Sequence, residues 1–116
     1  MPANMWKNAR DVVEYESGQV VFEEGDAGDV MYAVVDGAVD LSRDGVPIET
    51  VVDGGIFGEL ALIDASARGA TAVASRDSRL ARLDESHFMF MVQEHPTFAL
   101  QVMRVMAERL RRANRS

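Results

Sequence analysis

The sequence predicts an antiparallel β-sandwich or jelly-roll barrel followed by helices at its carboxyl end. Two observations predict it. Short apolar runs punctuated by Gly and Asp-Gly recur about every ten residues from Asp11 to Leu83, too closely for the helix-length crossovers that βαβ units need. From Asp84 onward the apolar residues change to helical spacing. The 116 residues suit one domain with one core.

Asp11 to Tyr15 (DVVEY) reads as the first strand and Glu16 to Gly18 as its turn. QVVF is a second strand, running into a loop with Gly25 and Gly28, and Val30 to Gly37 (VMYAVVDG) is a third, closed by Asp-Gly. AVDLS and VPIETVV flank the turn Arg43-Asp44-Gly45 as a hairpin, with Asp53-Gly54-Gly55 after it. Residues 57–71 interrupt the pattern, after which TAVAS (Thr71 to Ser75) and RLARL (Arg79 to Leu83) form the last two strands. The barrel thus covers about 11–84, and one helix, about 85–95, starts at a cap on Asp84 or Ser86 and is limited by Pro96. A second helix runs over about 97–114 with two apolar stripes, one of Ala99, Met103, Met106, Leu110 and Ala113 and one of Phe98, Val102 and Val105. One stripe packs the helix on the barrel. The other covers a ligand or meets the same helix of a second subunit, unless the two form one broad core-facing band. Met89, Met91, Met103 and Met106 are expected as core filler, and the segment 1–10 as a short helix or a frayed end.

Composition narrows the function. At 47% apolar and 27% charged residues the chain is that of an ordinary soluble domain, its apolar runs are too short to span a bilayer, and its start lacks a signal-peptide stretch. A cytoplasmic protein is expected, without a membrane partner. With no Cys there is no disulfide or thiolate chemistry. A net charge of −7 argues against nucleic-acid binding. Residues 101–116 carry five Arg and one Glu, which suits the negative end of a helix dipole. His87 and His95 lack a carboxylate pattern around them and are not expected to hold a metal. No nucleophile and base form a pair, so no enzyme activity is expected.

The interruption FGELALIDASARGAT carries the chemistry. ELALID suits one or two helical turns, and Gly54, Gly55 and Gly58 permit positive φ and close approach of a ligand to the backbone. Free N–H groups of Leu60 and Ala61 at such a helix start favour an anion. Arg68 follows nine residues after Glu59. Its planar fork suits a phosphodiester, whereas an ionised Glu59 only accepts hydrogen bonds and needs a donor such as a sugar hydroxyl. The plain alternative is a surface pair in which Glu59 caps the turn and meets Arg68.

These residues resemble the phosphate-binding cassette of the cyclic nucleotide-binding domain family, FGE-L-A-L, a short variable stretch, then R-x-A-T. Phe57, Gly58, Glu59, Leu60, Ala61 and Leu62 match its first half, and Arg68, Ala70 and Thr71 its second. The likeness extends to Gly18, Gly25, Gly28 and Gly37, to Glu24-Gly25-Asp26, to Tyr32 and to the closing helices, over about residues 11–114. It implies an antiparallel jelly-roll barrel with a short phosphate-binding helix inserted. It further implies Glu59 on the ribose 2′-OH, Arg68 on the cyclic phosphate, and the N–H groups of Leu60, Ala61 and Gly69 as further phosphate donors.

Three departures shape the expectation. Ala67 stands where the family usually has Pro before the cassette Arg, which loosens the return loop. Gly69 stands where domains preferring cyclic GMP often have Thr or Ser, which leans toward cyclic AMP with cyclic GMP second. Ala113 and Asn114 fall where bacterial catabolite activators carry a Thr-Ser pair for adenine, so Asn114 is a candidate base contact. The resemblance implies reversible binding of a cyclic nucleotide by a signalling module; the family's usual output domain does not follow in this sequence, so the expected output is the domain's own changing surface. Its partners are expected to be the nucleotide, a protein effector and a second copy through the final helix. The alternative is a ligand-free interaction module on the same fold.

Overall fold

A computed structural model of the chain describes Trp6, Ala9 and residues 11–114. Among these residues eight strands form two four-stranded antiparallel sheets that face each other as a jelly-roll barrel. One sheet has the order β1 (Val12–Tyr15), β8 (Ser78–Leu83), β3 (Met31–Asp36), β6 (Ile56–Phe57). The other has β2 (Val20–Phe22), β7 (Thr71–Ala74), β4 (Ala38–Arg43), β5 (Val46–Val52). A short helix α1 (Glu59–Ile63) follows β6, and α2 (Glu85–Glu94) and α3 (Pro96–Ala113) follow β8. The expected short helix or frayed end at 1–10 lies outside the described residues, apart from Trp6 and Ala9.

β3 explains where the core sits. Its residues 31–35 are all buried, because each face of the strand meets a different apolar layer. Tyr32 and Val34 point into the barrel with Val39, Leu41, Val51, Phe57, Ala72 and Leu80. Met31, Ala33 and Val35 point outward and pack under the helices with Met91, Phe98 and Val102. A strand covered on both faces reads as a continuous apolar run, as VMYAVV does.

The β4–β5 hairpin closes at Asp44 and Gly45, with φ of 53° and 79°. Two successive positive φ values give the hairpin turn whose twist matches that of its strands. Further along, β5 carries a bulge: Leu41 pairs with Glu49 and Ser42 with Pro47, leaving Ile48 unpaired. A bulge re-aims side chains, and here it turns both Ile48 and Glu49 toward one cavity.

Asp84 caps α2 by accepting a hydrogen bond from the His87 N–H at 2.8 Å. Pro96 sits in the first turn of α3, where its missing N–H costs nothing. α3 is anchored by Phe98, fully buried, with Trp6 edge-on at 5.4 Å and Phe88 at 5.6 Å between ring centres. Of the four methionines expected in the core, Met91 is buried and Met106 packs against the core. Met89 and Met103 instead lie at 58% and 60% exposure, on the outward faces of their helices. No helix among the described residues is long and apolar enough to cross a membrane.

Candidate functional site

Gly58 opens the site. It is the residue before α1, with φ 78° and ψ 14°, a left-handed conformation that glycine adopts without strain. A Cβ there would lie 2.7 Å from Arg68 Nη1, so the position needs glycine on two counts. The chain then turns through α1, puts Glu59 and Ala61 inward, and returns to Arg68.

The backbone of Arg68 is held by the Glu24-Gly25-Asp26 segment: its N–H donates to the Asp26 carbonyl and the Gly25 N–H donates to its own carbonyl, both at 2.8 Å. Its guanidinium is buried, donating from Nη2 to the Val30 carbonyl at 2.8 Å and from Nη1 to the Gly58 carbonyl at 3.1 Å. It lies 4.2 Å above the Phe22 ring, a cation–π contact, and Phe22, Tyr32 and Phe57 form an aromatic floor below it. The Nε of Arg68 is buried without a hydrogen-bond partner among the described residues. Burial pushes this guanidinium below its ordinary range, against the pull of Tyr32, Asp29, Asp26 and Glu59. An unfilled donor on a buried cation is costly, and an anion beside it would remove that cost.

Glu59 is 4% exposed and does not meet Arg68. The surface pairing of Glu59 with Arg68 that spacing allows is thereby corrected, since both are buried and each has other partners. Glu59 Oε1 accepts from Arg109 Nη1 at 2.7 Å. The same guanidinium makes a fork on Glu49, Nε to Oε1 at 3.0 Å and Nη2 to Oε2 at 3.1 Å, and reaches the Ile56 carbonyl at 2.9 Å. Arg112 adds a bond to Glu49 at 3.0 Å. Burial alone would lower Arg109, but Glu49 and Glu59 outweigh it and hold Arg109 above its usual range. Glu49 is held below the usual carboxylate range: burial would raise it, and hydrogen bonds and charge from Arg109 and Arg112 overcome that.

These groups line a cavity of about 510 Å³ between the barrel and α3, a volume typical of small-molecule sites. Gly58, Glu59, Leu60, Ala61, Arg68, Gly69 and Ala70 all face it. Phe57 and Thr71 do not. Phe57 is fully buried in the aromatic floor, stacked on Tyr32 at 5.2 Å, and the Thr71 hydroxyl accepts from the Glu24 N–H at 3.0 Å, tying the return loop to the Glu24 turn. Asn114 is exposed at the carboxyl cap of α3, and Ala113 is the last residue on the cavity wall. Gly54 and Gly55 form the turn beside β3, where the Gly54 N–H donates to the Val34 carbonyl and the Gly55 carbonyl accepts from the Val34 N–H. They do not line the cavity.

Sequence reasoning missed Glu49, Arg109, Arg112 and Arg43, all on the cavity wall. A signal existed for Arg109: it extends the spacing Phe98, Val102, Val105 by one more helical step. The basic end of α3 therefore does more than offset a dipole.

A family model for the cyclic nucleotide-binding domain matches residues 12–95. Lysophospholipase nte1 of Aspergillus oryzae is 34% identical over 108 residues, 89% of this chain and 7% of that protein. The cAMP-dependent protein kinase regulatory subunit of Aspergillus niger is 37% identical over 83 residues, 70% of this chain and 20% of that one. The chain thus spans a small part of these curated relatives. The crystal structure of the Thermus thermophilus catabolite activator protein superposes with a TM-score of 0.77 at 30% identity, covering 90% of this chain and 51% of that one.

Proposed function

Because the chain belongs to the cyclic nucleotide-binding domain family, we propose that it reversibly binds a cyclic nucleotide, cyclic AMP in preference to cyclic GMP, and acts by binding without chemical turnover. One observation carries the reading. Arg68 is buried, fixed by two carbonyls and left with a free Nε, in the same cavity as the acceptor Glu59. The cyclic phosphate takes Arg68 Nε and the N–H groups of Leu60, Ala61 and Gly69. The ribose 2′-OH donates to Glu59, whose Oε2 has no donor among the described residues. The base lies between Leu41 and Ile48 of the barrel and Leu110 and Ala113 of α3. Gly69 offers no side chain to the base, which supports cyclic AMP, and Asn114 reaches the base edge if the end of α3 closes further.

α3 is the moving part. It supplies one wall of the cavity, so a ligand that touches it shifts the balance between its positions. Its outward residues Leu100 and Met103 are 44% and 60% exposed, and they are the surface offered to a second copy or a protein effector. The setting proposed is cytoplasmic.

A second reading, a ligand-free interaction module, is favoured by one fact: Glu59 already holds Arg109 at 2.7 Å. Titration calorimetry with cyclic AMP and cyclic GMP separates the two. Binding is expected for the unmodified protein, and Arg68→Ala is expected to weaken it by about one to two powers of ten, the worth of a charge-assisted hydrogen bond. An absence of heat at high micromolar nucleotide sinks the sensor reading and leaves the interaction module.

A further inference from the structure

We propose that Phe22 is a positioning residue for the nucleotide phosphate: its ring holds the Arg68 guanidinium in the pose from which Nε reaches the anion. The inference rests on the nucleotide reading above.

Phe22 reaches Arg68 because β2 is irregular. Val20 pairs with Val73 and Phe22 with Ala72, so two steps along β2 match one along β7 and Val21 is the extra residue of a bulge. Regular alternation would keep Phe22 on the face of Val20, which is 46% exposed. Instead, Val21 and Phe22 both pack against the barrel core, and Phe22 also lines the cavity. The turn that follows, residues 23–26, holds the Arg68 backbone at its N–H and at its carbonyl. One short segment thus grips Arg68 twice, the main chain through the turn and the guanidinium through the ring.

A guanidinium offers donors in its plane and a cationic face above it. In the plane, the Val30 carbonyl accepts from Nη2 and the Gly58 carbonyl from Nη1. Over the face, the Phe22 ring centre lies 4.2 Å from Cζ, and Tyr32 and Phe57 brace that ring at 5.8 and 5.9 Å. A π face attracts the cation without taking an in-plane donor, so the ring does not compete with an anion for Nε. The cage is also neutral. Arg109 and Arg112 are paired with carboxylates, whereas no carboxylate lies within ion-pair distance of Arg68 among the described residues. The full charge is therefore kept for the phosphate. Fixing a long side chain costs rotamer entropy, and a site that fixes it beforehand binds more tightly. Without the ring, fewer molecules hold Arg68 in this pose, and apparent affinity falls by the same factor.

The test is titration calorimetry of the full chain with cyclic AMP. It compares the unmodified protein, Phe22→Leu, a ring-trifluorinated phenylalanine in place of Phe22, Arg68→Gln, and Phe22→Leu combined with Arg68→Gln, with thermal melting to confirm folding. Phe22→Leu is expected to weaken binding by about tenfold, within the range of a desolvated cation–π contact. The fluorinated ring fills nearly the same space but lacks the negative face, and is expected to weaken binding nearly as far, which a packing role alone would not produce. In the Arg68→Gln background, Phe22→Leu is expected to change affinity by less than about threefold, because the ring acts through Arg68. If Phe22→Leu fails to fold, the fluorinated ring decides alone. Unchanged affinity with the fluorinated ring, or an equal loss from Phe22→Leu with and without Arg68, overturns the proposal while leaving the nucleotide reading intact. If the unmodified protein binds no nucleotide, both fall.

Discussion

Glu59 and Arg109 stand 50 residues apart in sequence and 2.7 Å apart in space, joining α1 to α3 through a charge-assisted bond in a site where the Glu59 side chain is only 5% exposed. Removing the cation strands a buried carboxylate, which costs more than the pair itself is worth. Arg109→Gln is therefore expected to destabilise the protein by about 2 to 4 kcal/mol in urea denaturation, and Glu59→Gln by less, because a neutral amide still meets Arg109. Equal stability of Arg109→Gln and the unmodified protein would contradict the buried pair.

Gly28 sits beneath the guanidinium of Arg68: a Cβ there would lie 2.4 to 2.6 Å from its Nε, Cζ and Nη2. Gly28 does not occupy the left-handed region, so Gly28→Ala strains no backbone torsion and acts by pushing Arg68 aside. The expected outcome is a loss of nucleotide affinity of about tenfold, or ~1.4 kcal/mol, with the melting temperature nearly unchanged. Calorimetry and thermal melting together check it. A large fall in stability at unchanged affinity would refute the steric account.

Glu49 gives a pH dependence. Its carboxyl is held below the ordinary range because Arg109 and Arg112 overcome the opposing effect of burial. A depressed folded value means that stability from this group is fully present above the unfolded value, about 4.3. It is lost as pH falls through the lower folded value. Glu49→Gln is expected to be less stable near neutral pH and to show a shallower decline below about pH 4.3. Denaturation series from pH 7 to pH 3 would show parallel curves for the two proteins if the clasp contributed nothing.

Phe98 holds the other end of α3. It is fully buried between Trp6 and Phe88, and Phe98→Ala is expected to cost about 3 to 5 kcal/mol, the usual range for an aromatic core deletion. Thermal unfolding measures it. A loss below about 1 kcal/mol would mean that α3 is seated elsewhere.

The barrel was legible because its strands announce themselves through period and turn chemistry. Asp44-Gly45 marked the hairpin, and the unbroken apolar run of β3 follows from burial on both faces. β6, two residues long and pressed between glycines and the cassette, carries no periodic signal and was not foreseen. The cassette was readable through its resemblance to the family's motif, because Glu59, Arg68 and the glycines before them suit a surface pair as well when taken by spacing alone. The far wall of the site was not. Glu49 reaches the cavity only through the bulge at Ile48, a register event that alternation does not encode. Arg109 looked like one more basic residue in the tail until packing placed it on the buried stripe.

The two ends of α3 are fastened by different physics, aromatic packing at Phe98 and charged groups at Arg109 and Arg112. At about 1.5 Å of rise per residue these ends stand roughly 16 Å apart, so a swing of about 10° around Phe98 carries the tip by roughly 3 Å. The helix is built as a lever with a greasy fulcrum and an electrostatic catch. Ionic strength should act on the more exposed Arg112–Glu49 bond of the catch more than on the buried Arg109–Glu59 bond, and it should spare the fulcrum, because screening acts on charges in reach of solvent and not on buried rings.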